Sequence, residues 1–236
     1  MEKLDGFYSS LSRVKAIHFD MDGSLIDSRN AWLDSEVELL QGYGVDLTAE
    51  EIREITHDDL IGRGQWFAAK FYKENFGLTD PVEKIREKRI RLVKESYGEA
   101  PLLPGAKDFV RAAGESSLKV TLATSAPMEL AEIFLKKHGF EKYFDGVVSD
   151  DQVSQSKPSP DIFLEAARSV DVEPEESLVV EDSKNGLLAA KAAGALCLLV
   201  PNDEFSPDRG GNLSQANFVA RSMASLDLRQ LKRIAG

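Results

Sequence analysis

Short apolar runs, each followed by a helical pattern, constrain this chain more than any other feature. The runs fall at residues 16–19, 120–123, 146–149, 178–180, 196–200 and, more weakly, 218–220. Alternation of such runs with amphipathic segments is the pattern of βαβ units around a parallel sheet. One intervening helix carries Ile162, Phe163, Ala166, Ala167 and Val170 at helical spacing. Residues 128–137 and 185–193 repeat the pattern, and Gly139 and Gly194 stand where those helices should end. Ser159 and Pro160 predict an N-cap followed by proline at the first helical position. The tail from Asn202 onward is expected to close the sheet edge.

The alternation breaks once. Between residues 28 and 98 nothing reads as a strand, and helical patterns follow one another at 31–40, 49–55, 66–76 and 81–97. Pro101-Leu102-Leu103-Pro104-Gly105 punctuates the return to the alternating pattern. The expected fold class is therefore α/β: a Rossmann-like parallel-sheet core over 1–27 and 99–236, with an α-helical domain over 28–98 inserted after the first strand. An insertion hung on two linkers beside a crevice is placed to act as a lid or cap. Trp66, Phe67, Phe71 and Phe76 are its expected core. The basic run Lys84, Arg86, Lys88, Arg89, Arg91 and Lys94, interleaved with Glu83, Glu87 and Glu95, reads as a solvated, salt-bridged face.

A length of 236 residues with 42% hydrophobic content allows a sizeable core in one large or two small domains. The net charge of −11 argues against nucleic acid and anionic membrane as partners. It leaves room for a phosphorylated small molecule, because a local cluster of cations overrides net charge. The single cysteine, Cys197, excludes an intrachain disulfide and sits in an apolar run as a core residue. An acidic N-terminal stretch and the lack of any run of transmembrane length predict a cytoplasmic protein.

Polar clusters fall just past the apolar runs, at the sheet edge where open α/β folds bind ligands. Asp20-Met21-Asp22-Gly23-Ser24 follows the first run. Both carboxylates can reach one crevice if the chain turns at Gly23. One can attack an electrophile, the other can move protons, and the pair can hold Mg²⁺. Thr124-Ser125, Lys157-Pro158-Ser159-Pro160-Asp161 and Glu181-Asp182-Ser183 follow later runs. Each alone has an ordinary reading: Thr124 or Ser125 as a cap near Pro127, Lys157 as a solvated lysine, Glu181 and Asp182 as turn acids. Together they supply the parts of phosphoryl transfer. A lysine ammonium and a metal ion cancel the repulsion between carboxylate and phosphate, and a hydroxyl orients the phosphoryl oxygens.

In this order the clusters resemble the motifs of the haloacid dehalogenase (HAD) superfamily, in its branch of capped phosphatases and phosphomutases. Residues 19–28 resemble the first motif, 122–125 the second, 157–163 the third, and 181–194 the fourth, so the likeness covers most of the chain. It implies that Asp20 is the nucleophile and forms an aspartyl-phosphate. It implies that Asp22 protonates the leaving oxygen and then deprotonates the attacking water. Thr124 would bind the phosphoryl group with Ser125 close by, and Lys157 would neutralise charge. Mg²⁺ would be held by Asp20, the main-chain carbonyl of Asp22, Asp182 and, directly or through water, Glu181.

The implied function is a Mg²⁺-dependent phosphatase acting on a small phosphorylated metabolite. Dehalogenases of the superfamily need neither the second acid nor the acidic pair. β-Phosphoglucomutases share all four motifs and differ in a serine- and arginine-bearing cap loop. Here Gly62-Arg63 resembles the Gly-Arg of phosphatase caps. A phosphatase is favoured, a phosphomutase is the alternative, and a non-catalytic binding protein is disfavoured because no essential group is missing. Arg63 is the expected substrate-binding residue of the cap. Ser156 replaces a frequent glycine, and His18 occupies a strand position that is usually apolar, where a satisfied buried histidine is expected. His57 and His138 have no metal-ligand spacing.

Overall fold

Six strands carry the fold: β1 (Ala16–Phe19), β2 (Lys119–Thr124), β3 (Gly146–Ser149), β4 (Ser177–Glu181), β5 (Leu196–Leu199) and β6 (Phe218–Val219). The computed structural model describes residues 2–201, 213–229 and 231. The strand order is β3-β2-β1-β4-β5-β6, with every neighbouring pair parallel. β1 lies inside the sheet and is buried along its whole length, as a strand covered by helices on both sides must be. Phe19 is level with Leu122 on β2 and Val180 on β4. The next residue, Asp20, extends the ladder by donating its N–H to the Val180 carbonyl at 3.0 Å. Asp20 and Glu181 therefore leave the sheet side by side, at the point where the strand order reverses.

The two faces of the sheet have separate cores. Ile17, Phe19, Val120, Leu122 and Val180 pack with Phe109, Leu130 and Phe134. These last three come from α6 (Ala106–Gly114) and α7 (Met128–His138). Ala123, Val179, Cys197 and Leu199 face Ile162, Phe163 and Leu187. Those belong to α8 (Asp161–Ser169) and α9 (Lys184–Ala192). The predicted strands and α7 agree with these elements, and Gly139 adopts a left-handed φ of 64° at the end of α7. α8 starts one residue later than expected. Pro160 occupies the cap position, and Ser159 Oγ donates to Asp161 Oδ1 at 2.6 Å instead of capping the helix. A short helix, α1 (Phe7–Ser10), precedes β1. β6 lies at the sheet edge; residues 202–212, 230 and 232–236 of the tail, and the His57 side chain, fall outside the described residues.

The insertion is helical throughout: α2 (Arg29–Gln41), α3 (Ala49–Leu60), α4 (Gln65–Phe76) and α5 (Val82–Tyr97). α3 opens on a capping box, Thr48 Oγ1 accepting from the Glu51 N–H while Glu51 Oε2 accepts from the Thr48 N–H. Leu39, Leu40, Ile52, Ala69, Tyr72, Leu78 and Ile85 form a core distinct from those of the sheet. Phe67, Phe71 and Phe76 are half-buried against it, but Trp66 is 45% exposed and lies beneath the Arg86 guanidinium instead of inside. The basic run pairs on the surface through Lys88–Asp80 and Lys94–Glu129, with Arg89 as a buried exception. The two connections to the sheet pair with one another: the Asp27 N–H donates to Pro101 and the Leu103 N–H to Leu25, both at 2.9 Å. Among the described residues no helix is long and apolar enough to cross a membrane.

Candidate active site

Lys157 is the centre of the polar cluster at the carboxyl edge. Its Nζ donates to Asp20 Oδ1 and Glu181 Oε1, each at 2.6 Å, and its side chain is wholly buried. Burial works against its charge, but Asp20 and Glu181 outweigh that cost and raise its pKa, so it remains an ammonium. Burial pushes Asp20 upward, Glu181 adds to the push, and Lys157 opposes it. Glu181 is held from its other side: Oε2 accepts from the Asp182 and Ser183 N–H groups and the Ser183 hydroxyl, all at 3.0 Å. Ser183 also caps α9, accepting from the Gly186 N–H at 3.0 Å. A Cβ on Gly186 would lie 1.8 Å from Glu181 Oε1, so the first turn of α9 can approach the carboxylate only as glycine.

Asp20, Glu181 and Asp182 each present a carboxylate oxygen within 4.8 Å of the others. Three clustered hard oxygens suit a divalent cation of the Mg²⁺ class. Ser24 Oγ donates to Asp182 Oδ1 at 3.4 Å. The turn bearing Asp22 closes through Gly23 at a φ of 79°. Asp22 Oδ1 accepts from the Ser28 hydroxyl, from Trp32 Nε1 at 3.2 Å and from the Tyr97 hydroxyl at 2.6 Å. Burial raises the Asp22 pKa, and these three donors pull against it. Thr124 is buried at the end of β2, where its Oγ1 accepts from the Ala126 N–H at 3.0 Å. Neither Thr124 nor Ser125 caps α7, whose N-cap is Pro127. Ser125 Oγ reaches across to the helical insertion and donates to the Gly62 carbonyl at 3.0 Å.

The sequence model of haloacid dehalogenase-like hydrolases matches residues 14–194. The chain belongs to that family. Hexitol phosphatase B of Escherichia coli K12 is 32% identical over 206 residues, 85% of this chain and 89% of that protein. The phosphorylated carbohydrates phosphatase of Thermotoga maritima is 33% identical over 185 residues, 77% of this chain and 82% of its own. The crystal structure of CbbY from Rhodobacter sphaeroides in complex with phosphate superposes with a TM-score of 0.79. It is 28% identical and covers 92% of this chain and 99% of its own.

In this HAD-like hydrolase the helical insertion roofs the polar cluster. A cavity of about 150 Å³ lies between them. Asp20, Asp22, Ser125 and Asp182 line it from the sheet, and Trp32, Glu36, Arg63, Gln65 and Arg89 from the helices. Arg63, the residue of the insertion expected to bind substrate, is among those that line the cavity. Its guanidinium lies 3.9 Å over the Phe67 ring, and its buried Nε has no protein partner among the described residues. The loop carrying Arg63 is pressed onto the sheet edge. Gly62 has a φ of 74°, and a Cβ there would come within 2.5 Å of Ser183 Oγ. At Gly64 a Cβ would meet Asp150 Oδ2 at 2.0 Å. Asn185 Nδ2 donates to the Ile61 carbonyl at 2.7 Å, and Arg86 pairs with Asp151 nearby.

Sequence reasoning missed several residues of this site. Arg89 is buried, donates to Gln65 and Glu36, and lies 4.4 Å over the Trp32 ring. Ser28 and Trp32, shortly after Asp22 in the chain, and Tyr97, far beyond it, converge on the Asp22 carboxylate. His18 is only half satisfied. Its Nδ1 shares a hydrogen bond with Thr121 Oγ1 at 2.7 Å, while its buried Nε2 has no partner among the described residues. Burial lowers its pKa to about 4, and it takes no part in the cluster.

Proposed function

We propose that this hydrolase is a Mg²⁺-dependent phosphatase, hydrolysing a small phosphorylated metabolite through an aspartyl-phosphate on Asp20. The observation that carries the reading is the Lys157 ammonium bonded to both Asp20 and Glu181, with Asp22 beside it and a roofed cavity above. A phosphate monoester and a carboxylate repel each other, and Lys157 offsets that repulsion where the phosphoryl group would sit. Asp20 attacks phosphorus, Asp22 protonates the departing oxygen, and Asp22 then takes a proton from the water that attacks the aspartyl-phosphate. Thr124 and Ser125 orient phosphoryl oxygens. Asp20, the Asp22 carbonyl, Asp182 and Glu181 would hold Mg²⁺, which when bound supplies further positive charge to the phosphoryl oxygens.

The helices of residues 28–98 act in this reading as a cap, with Arg63 gripping the part of the substrate away from the phosphorus. Donors and acceptors on Glu36, Gln65 and Arg89, with the Trp32 ring, suit a hydroxylated carbon chain. That the two phosphatase relatives are named for hexitol and carbohydrate phosphates favours a sugar or polyol phosphate as substrate. Phosphate release from a panel of hexose, pentose and hexitol phosphates, compared between wild type and Asp20→Asn, tests the reading. We expect release that depends on Asp20. Phosphorus NMR on β-glucose 1-phosphate tests the mutase alternative: conversion to glucose 6-phosphate with little free phosphate would replace phosphatase with phosphomutase.

A further inference from the structure

Every protein hydrogen bond to the Asp22 carboxylate falls on one of its two oxygens. Ser28, Trp32 and Tyr97 all donate to Oδ1, and no donor among the described residues reaches Oδ2. Asp22 also lines the cavity, and Oδ2 is its carboxylate oxygen without a donor among the described residues. The three donors come from both connections between sheet and helices. Ser28 and Trp32 stand on the outgoing connection and the start of α2, and Tyr97 ends α5 on the return. Trp32 and Tyr97 brace one another edge to face, with ring centroids 6.1 Å apart. Tyr97 is buried, and its hydroxyl donates to Asp22.

We propose that Tyr97 and Trp32 are positioning residues that saturate Asp22 Oδ1 and so make Oδ2 the oxygen that carries the catalytic proton. An oxygen already accepting three hydrogen bonds has no lone pair left for a proton, whereas Oδ2 accepts none from the described residues and keeps its lone pairs for one. This rests on the phosphatase reading. In the first step the Asp20 oxygen bonds to phosphorus, the ester P–O bond breaks, and the Oδ2 proton passes to the departing oxygen. In the second, water bonds to phosphorus, its proton passes to Oδ2, and the P–O bond to Asp20 breaks, releasing orthophosphate and regenerating both carboxyl groups.

The test uses Tyr97→Phe and Trp32→Phe, each of which keeps a ring and removes one donor. Single-turnover phosphoryl transfer with Mg²⁺ present is measured on 4-nitrophenyl phosphate and phenyl phosphate, which differ little in shape and greatly in how much protonation the leaving oxygen needs. We expect each variant to transfer from phenyl phosphate about tenfold more slowly, as for loss of one hydrogen bond to a charged group. Transfer from 4-nitrophenyl phosphate, whose leaving oxygen needs little protonation, should slow less than about threefold. Equal losses on both esters, or no loss on either, would overturn the positioning role and leave the phosphatase reading in place. Undiminished turnover by Asp20→Asn would remove that reading instead, and this assignment with it.

Discussion

At the scale of single residues, the site is held by groups that burial makes expensive to disturb. Lys157→Ala would leave Asp20 and Glu181 buried without their shared counter-charge. That change is expected to destabilise the metal-free protein by about 3–5 kcal/mol and to abolish turnover, as denaturant titration and phosphate release would record. Gly186→Ala would drive a methyl group into Glu181, 1.8 Å away, and is expected to cost about 1–3 kcal/mol while lowering activity through the displaced carboxylate. His18 makes stability depend on pH. Its folded pKa of about 4 lies below the ordinary 6.5, so the unfolded chain binds a proton that the folded chain refuses. Its contribution is intact above pH 6.5 and is lost as pH falls towards 4, amounting to about 2 kcal/mol at pH 5. His18→Asn keeps a donor near Thr121 and cannot titrate. Denaturant titrations at pH 7 and pH 5 should therefore differ less for this variant than for wild type, and an unchanged difference would remove His18 as a source of acid sensitivity.

At the scale of elements, the loop from Ile61 to Gly64 decides whether helices and sheet form one site. Gly62→Ala places a side chain at a φ of 74° and 2.5 Å from Ser183 Oγ, so the loop must lift from the sheet edge. We expect kcat/KM to fall by about tenfold or more while the melting temperature moves by only a few degrees, because none of the three hydrophobic cores is touched. A variant with wild-type kinetics would show that the contact is dispensable. The strands were legible in the sequence because parallel strands buried on both faces leave continuous apolar runs, and Asp20, Thr124, Glu181 and Asp182 were legible because they end or directly follow those runs, with Lys157 one short loop further on. What was not legible depends on contacts between distant segments. Trp66 fits a helical apolar face by spacing, yet it lies outside under Arg86. Arg89 belongs by spacing to a charged surface run, yet it turns inward to Glu36 because α2 and α5 pack side by side. Nothing local marks Tyr97 as a partner of Asp22; the pairing exists only because the two connections meet at the end of β1.

At the scale of the whole molecule, a rigid parallel sheet supplies the charged cluster and the helices close the space above it. Chelation should remove turnover and added Mg²⁺ restore it, whereas excess Ca²⁺ should inhibit, since it favours looser and higher coordination. Full activity in chelator would separate the carboxylate cluster from any metal role. Arg63→Ala should raise KM for the best sugar or polyol phosphate by about tenfold and leave a small aryl phosphate, which does not reach the roof, within about twofold. Equal kinetics on both would place Arg63 outside substrate recognition. The central claim is that Asp20 becomes covalently phosphorylated. Acid-quenched mass spectrometry of the chain, mixed with a phosphate ester and Mg²⁺ and stopped within the first turnover, tests it most directly. We expect one added phosphoryl group on the peptide that contains Asp20, absent from Asp20→Asn. Turnover that continues with that peptide never labelled at any quench time would contradict it.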